Sequence, residues 1–418
     1  QLFALDQHAD DAEGRRAAVL ARLAGRPELL PLAPLLNAIL PLDLPESPLT
    51  APMAGQVRAD NTVALLTRLL QEAADGPLLL LIEDAHWLDS ASWALLAELA
   101  HDLPAALLVV TARPLESPRP AAAERLLERP DALHLRLGAL AADEVAALIR
   151  QRLGVAELPA PILELIQERG GGNPFFCEEL ALALRDAGVL RIEEPAADGP
   201  RRVSLAQADL KSLSLPDTVE GVITSRIDRL APALQLTLKV ASVIGRIFTA
   251  PLLQDIHPIE RDRPLLREQL SSMIRLDLML ADSGEPDLTY LFKHVITQEA
   301  AYNLMLFAQR RELHAAVARW HERRFADDLS PFYAVLAHHW LRAESPARAM
   351  EYLEKAAGQA LGRGAYKEAR DFYATLLELT AAPAEGDGAA RRRGRWLSGL
   401  AHAHRGLGQL TETRCYGE

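Results

Sequence analysis

The chain has 418 residues, 49% hydrophobic, 24% charged and 5% aromatic, more apolar material than one core uses and enough for two to four domains. Its 45 Lys+Arg against 57 Asp+Glu leave a formal net charge of −12, which excludes coating nucleic acid or anionic lipid as the main task and confines any polyanion to a local patch. No apolar run approaches the roughly 20 residues that span a bilayer. Cys177 and Cys415 lack the spacing of a disulfide framework or a cysteine zinc site, so a reducing cytoplasm is the default. Gln1–Asp6 has no initiator Met, basic region or long apolar region, and reads as a cut end rather than a signal peptide.

Residues 1–75 alternate amphipathic runs, Ala17–Leu23 and Thr62–Ala73, with proline-rich turns, and read as helices and loops. Leu78–Ile82 is an unbroken apolar run closed by Glu83-Asp84, the pattern of a strand buried on both faces of a parallel sheet. A helix over Ala91–Leu103 follows, with Asp89 or Ser90 as N-cap, and a second apolar run, Leu107–Val110, ends in Thr111-Ala112-Arg113. This is a βαβ unit. The alternation in Leu133–Leu137 predicts a third strand nearer the sheet edge.

Three helices are expected at Asp143–Leu153, Pro161–Arg169 and Phe175–Ala187, the last two separated by Gly170-Gly171-Gly172-Asn173-Pro174. A Pro-, Asp- and Gly-rich stretch from Glu193 to Arg202 reads as a linker. Helical periodicity at Val219–Leu230, Leu234–Ile244 and Leu265–Arg275 precedes an extended piece, Leu278–Ala281, a turn at Ser283–Asp287 and a second extended piece, Leu288–Phe292, which is the plan of a winged helix. Beyond Tyr302 the pattern is helical. Ala357, Gly364, Tyr366, Ala369 and Tyr373 fall at the offsets of a tetratricopeptide repeat, and a second copy puts Ala401, Gly408 and Leu410 at equivalent places. The chain then stops inside that copy, so both ends are expected to be fragment boundaries.

An apolar strand that delivers two acids at its C-terminal end is the physical signature of a Walker B element: packing holds the strand, so one acid can face a Mg²⁺ with its waters and the other an attacking water. Glu83 and Asp84 are those acids, although a buried strand followed by two solvated acids gives the same pattern in isolation. His86-Trp87-Leu88-Asp89 follows directly, and a second strand tip carries Thr111-Ala112-Arg113 toward the same crevice. Ile82–Asp89, Val110–Arg113 and Gly171–Phe176 together resemble the Walker B, sensor 1 and Gly-x-Pro elements of STAND-class signal-transduction ATPases, relatives of the AAA+ ATPases. Leu291-Phe292-Lys293-His294, Gln298–Tyr302 and Leu336–Trp340 are similar to the segment joining ATPase to repeats in class III adenylate/guanylate cyclases and large LuxR-type regulators. The run Glu28–Asn37 leans toward the cyclase branch.

That resemblance implies an incomplete α/β parallel-sheet ATPase core of the P-loop type over residues 1–138, an all-α lid over 139–192, a linker over 193–215 and a winged helix over 216–300. Connecting helices over 301–345 and truncated tetratricopeptide repeats over 346–418 complete the plan. It implies ATP/ADP and Mg²⁺ as cofactors. Glu83 would help place the Mg²⁺ through water and Asp84 would orient the attacking water; many relatives carry the aspartate first. Arg113, Thr111, Pro174 and Asn173 form the implied nucleotide-binding set, Arg113 sensing the γ-phosphate and Pro174 packing near the adenine. The G-x-x-x-x-G-K-[ST] loop is absent, and no lysine precedes Lys211 to supply a degenerate one. The implied loop lies before Gln1, and this chain alone is expected to be inactive as an ATPase.

The function so read is a nucleotide-dependent switch in a multidomain signalling protein, with a cyclase as the favoured effector outside these residues. The alternatives are a LuxR-type transcription regulator, a protein kinase fusion and a non-enzymatic repeat scaffold. Further partners are a protein or peptide on the repeats and a nucleotide-driven oligomer, with no membrane. His338-His339 does not read as a metal site, because adjacent helical residues point about 100° apart and no third ligand is suitably spaced. His294 and His314 read as packing or surface histidines.

Direct DNA binding by residues 216–300 is not expected. Arg226, Arg261, Arg263 and Arg267 each have an acid within two positions, which cancels much of the field that phosphate contacts need. A duplex titration of the chain by anisotropy is therefore expected to show no salt-dependent binding through this region; micromolar affinity that weakens steeply with salt would contradict it.

Overall fold

The computed structural model describes residues 12–40, 42–53, 55–73, 76–103, 105–115, 119–193, 201–205, 216, 218–283, 288–380 and 387–409. The Ser283–Asp287 turn beyond Ser283, most of the expected linker, Leu410 and Cys415 lie outside them. The described chain is mostly helical with three small sheets. It divides into one unit drawn from Gln1–His134 and His321–Glu418 and another from Leu135–Trp320.

In the first unit, α1 (Ala12–Leu23) and α2 (Gly55–Ala73) flank a 3-10 segment, Leu30–Ala38, and enclose Leu23, Leu35, Leu36 and Leu65. β1 (Leu78–Ile82) and β2 (Ala106–Val110) pair in parallel from Leu78↔Ala106 to Ile82↔Val110. Parallel neighbours need a crossover, and α3 (Ser90–Asp102) provides it, capped by the Asp89 carboxylate accepting from the Ser92 amide at 2.6 Å. With α4 (Ala121–Leu127), α3 covers one face of the pair, placing Trp93, Leu96, Leu99 and Ala123 over Leu80, Ile82 and Leu108.

Two expectations are corrected here. β1 and β2 are not buried on both faces: Leu79, Leu81 and Leu107 are 63%, 56% and 64% exposed, because the described helices pack on one side only. Leu133–Leu137 is irregular backbone rather than a third strand, with Leu133, Leu135 and Leu137 83%, 79% and 95% exposed. Alternation becomes a strand only where a neighbouring ladder takes up the backbone N–H and C=O groups, and among the described residues the β1–β2 pair adds no further strand.

The remainder of this unit is a run of helices in which each packs on the next: α14 (Tyr333–Arg342), α15 (Pro346–Gly362), α16 (Tyr366–Leu379) and α17 (Asp387–Gly406), numbered after the helices described below. Glu322 ties the start of the run together, accepting from Trp340 Nε1 at 3.0 Å and Tyr352 Oη at 2.8 Å while pairing with Arg348. Gly364, at φ +75°, makes the α15–α16 turn, and a Cβ there would lie 2.5 Å from the Ala59 Cβ of α2. The position therefore needs glycine for conformation and for space.

The second unit opens with α5 (Ala142–Leu153), α6 (Ala160–Gly170) and α7 (Pro174–Asp186), packed through Val145, Ile149, Ile162, Ile166 and Leu180. The glycine run between α6 and α7 is a tight crossing. Gly172, at φ +71°, accepts from the Leu140 amide at 2.8 Å, and a Cβ on it would lie 2.5 Å from the Leu140 carbonyl oxygen. β3 (Leu190–Glu193) and β4 (Arg202–Leu205) pair antiparallel, so the stretch expected to be a linker over 193–215 contains a strand, because its Val203 and Leu205 pack against the α5–α7 core.

α8 (Val219–Asp228), α9 (Pro232–Ile244), β5 (Ile247–Thr249), α10 (Ala250–Ile256), α11 (Leu266–Arg275), β6 (Met279–Ser283), β7 (Thr289–Phe292), α12 (Val295–Asn303) and α13 (Phe307–Arg324) follow, with the three strands in antiparallel order β5-β7-β6. The sequence reading missed β5 and α10, both too short to show a period.

Residues 216–300 pack on the α5–α7 layer. Val222 joins its core, and the Glu179 carboxylate of α7 forms a buried ion pair with Arg226 of α8, whose Nη2 also donates to the Leu276 carbonyl at 3.0 Å. Beside it, Asp277, in the left-handed region at φ 62°, accepts from Lys293 Nζ at 2.6 Å and pairs with Arg152 of α5. Burial pushes the Asp277 carboxyl up, but Lys293 and Arg152 outweigh it and hold the group below the usual carboxylate range.

Arg226→Leu or Glu179→Leu alone is expected to destabilise this unit by about 3–5 kcal/mol, because each leaves a buried charge unpaired, whereas the double substitution should cost far less than the sum. Urea denaturation of the four variants of the cycle measures this, and additive losses would contradict it. A second prediction concerns His294, whose ring lies 3.9 Å from that of Phe175. Burial, aided by the Lys293 charge, pushes its pKa down from 6.5 to about 4. The unfolded chain therefore takes up a proton before the folded one does, and stability falls as pH drops from about 6.5 toward about 4. His294→Gln should flatten part of that slope in thermal melts across this window; an unchanged slope would contradict it.

Candidate nucleotide site

β1 ends where its side-chain chemistry changes from apolar to acidic, and the backbone changes with it. Glu83 is exposed and Asp84 is half-buried at φ 53°, a left-handed conformation that aspartate tolerates better than most residues. This reverses the chain into the short 3-10 turn Ala85–Trp87 rather than letting the strand continue.

The two strand tips are bonded beyond the ladder. The Thr111 amide donates to the Ile82 carbonyl at 2.9 Å, and the Ala85 amide donates back to the Thr111 carbonyl at 2.8 Å. The Asp84 amide donates to Thr111 Oγ1 at 3.4 Å, and the Arg113 amide reaches His86 Nδ1 at 3.4 Å. Thr111 thus binds the acidic tip with both its backbone and its hydroxyl. The result is that the backbone of the Glu83-Asp84 tip is tied to that of Thr111-Ala112-Arg113. Asp89, next in the loop, is the N-cap of α3.

Asn173 and Pro174 belong to the other unit. The Asn173 side chain caps α7, accepting from the Phe176 amide at 3.0 Å, and Pro174 occupies the first helical turn, where its missing N–H costs nothing. His338 and His339 stand on α14, and among the described residues no cluster of three or more His, Cys, Asp or Glu side chains is arranged to hold a metal ion. Two carboxylates at one strand tip do fit the way Mg²⁺ is held beside a nucleotide, through one or two carboxylates while phosphates and waters complete the octahedron. Glu83 and Asp84 would hold it. His86 and Trp87 are the residues that the sequence suggests order the loop rather than touch nucleotide, and the His86 ring nitrogen accepts from the Arg113 backbone amide; that this partner is Arg113 has no signal in the spacing.

Among the described residues no helix is long and apolar enough to cross a membrane. A domain of unknown function, DUF8739, matches residues 141–198, a stretch that includes α5, α6, α7 and β3. An uncharacterized protein of Rhizobium meliloti (strain 1021) is 27% identical over 334 residues, 78% of this chain and 30% of the relative. Adenylate cyclase type 10 of Rattus norvegicus is 22% identical over 295 residues, 63% of this chain and 18% of the relative. The Homo sapiens protein of the same name is 21% identical over 257 residues, 54% of this chain and 16% of the relative. The chain thus spans less than a third of the length of these relatives.

Proposed function

We propose that the chain is the nucleotide-responsive regulatory part of a larger, cytoplasmic, cyclase-related signalling protein of the STAND class. The cross-bonding of the Glu83-Asp84 tip to Thr111-Ala112-Arg113 carries this reading, because it holds two acids and one arginine at adjacent parallel strand ends, where nucleotides bind in open α/β sheets. The similarity to adenylate cyclase type 10 supports a cyclase as the effector.

In this reading the bound ATP·Mg²⁺ supplies a hydrolysable phosphoanhydride and the charge that neutralises its oxygens. Glu83 would hold the ion through its water shell, and Asp84 would orient the attacking water. The Arg113 guanidinium meets the γ-phosphate, and its fork geometry suits a phosphate edge. Residues 216–300 are a winged helix acting as an intramolecular clamp on the α5–α7 lid, and the helices from α15 onward are tetratricopeptide-like repeats that bind a protein or peptide. The reading needs a phosphate-binding loop from outside these residues, so it is tested on the intact protein.

There, Asp84→Asn is expected to slow ATP hydrolysis by about 10²-fold or more while leaving nucleotide binding largely in place, as when a water-positioning group is lost. Turnover measured beside equilibrium binding checks this; unchanged turnover would remove Asp84 from the chemistry.

A further inference from the structure

The first unit contains a cavity of about 1120 Å³ between the α3 end of the strand-tip loop and the α15–α16 turn. Glu83 and Asp84 do not line it. Its walls are held by bonds between segments far apart in sequence. The Glu368 carboxylate of α16 accepts from both the Ser90 amide, at 3.2 Å, and the Ser90 hydroxyl, at 2.9 Å, at the start of α3. Gly364 fits against Ala59 closely enough to exclude a Cβ. The space is therefore a feature of the packed unit.

The lining is cationic in a chain whose net charge is −12. Arg113, Arg119, Arg363, Lys367 and Arg370 face Asp60 and Asp89. Arg370 is paired with Asp371, whereas Arg113 and Lys367 make no ion pair among the described residues. Burial pushes the Arg363 guanidinium down from its ordinary value, opposed by Asp89.

Two buried donors of this lining have no hydrogen-bond partner among the described residues. Arg363 Nε is one and His86 Nε2 is the other. His86 Nδ1 accepts from the Arg113 amide, so in the neutral ring the proton sits on Nε2. A buried donor left without an acceptor costs free energy, and here two of them share one cavity with unpaired cations. Trp87 is 76% exposed and lines the same space.

We infer that this cavity binds a polyphosphate group. Such a ligand carries several acceptor oxygens and enough negative charge to meet Arg363, Lys367 and Arg113 together, and the volume leaves room for more than one phosphate. Glu83 and Asp84 belong to the strand tips alone, whereas Arg113 is common to the tips and this cavity, so a ligand bound here joins the strand-tip loop to the repeat helices. The polyphosphate can come from an inorganic chain or from a nucleotide, whose base would stack on Trp87.

Calorimetric titration of the full chain with sodium tripolyphosphate, without Mg²⁺ and at about 0.15 M ionic strength, tests this. Saturable micromolar binding is expected, weakened about tenfold or more by Arg363→Gln and by Lys367→Gln, since each removes a charge-assisted contact. Lys367 is exposed, so its substitution leaves the fold in place and guards against a misfolded Arg363 variant. ATP binding more tightly than tripolyphosphate, with the gain lost in Trp87→Ala, would identify a nucleotide; equal or weaker ATP binding would identify an inorganic chain. Asp84→Asn should leave tripolyphosphate affinity in place. The inference is overturned by absence of binding, by binding indifferent to both cation substitutions, or by loss in Asp84→Asn alone, the last of which would move the phosphate to the strand tips and leave the proposed ATPase reading standing.

Discussion

Thr111 is the residue on which the site depends. Its amide, carbonyl and hydroxyl each bond to the tip of β1, so the acid pair and the arginine are fixed relative to one another by backbone rather than by long side chains. Backbone bonds between adjacent parallel strands lose little by being in a loop, because the ladder below has already fixed their geometry. Asp84 can then hold its left-handed conformation, which would be costly in a chain free to relax.

The same economy recurs elsewhere in each unit. Glu322 gathers Trp340, Arg348 and Tyr352, and Glu368 caps Ser90 from a helix distant in sequence. In the second unit, Glu179–Arg226 and Arg152–Asp277–Lys293 bridge the α5–α7 layer and residues 216–300. An acid with several donors loses its hydration but regains it from protein, which makes such pairs specific even where their net stabilisation is modest. They fix which helix faces meet.

Much of this was legible in the sequence where a local rule had no competitor. The strands at Leu78–Ile82 and Leu107–Val110, the helices at α5 to α9 and the glycine break before Asn173 follow from apolar periodicity and capping. Leu133–Leu137 misled because its alternation is real but no ladder among the described residues receives it. Burial of β1 on both faces was overread from composition, which reports hydrophobicity and not the number of layers available to cover it. The bond from the Arg113 amide to His86, the Glu368 cap on Ser90 and the cationic cavity were invisible, since each joins residues whose contact no period or spacing encodes.

The central claim is that the strand tips of β1 and β2 face the terminal phosphate of a nucleotide. The most direct measurement is an experimental structure of the intact protein with Mg²⁺ and a non-hydrolysable ATP analogue. The account predicts the ion beside the Glu83 and Asp84 carboxylates and the γ-phosphate against Arg113. A nucleotide bound with its phosphates elsewhere, with the Glu83-Asp84 tip facing solvent, would contradict it.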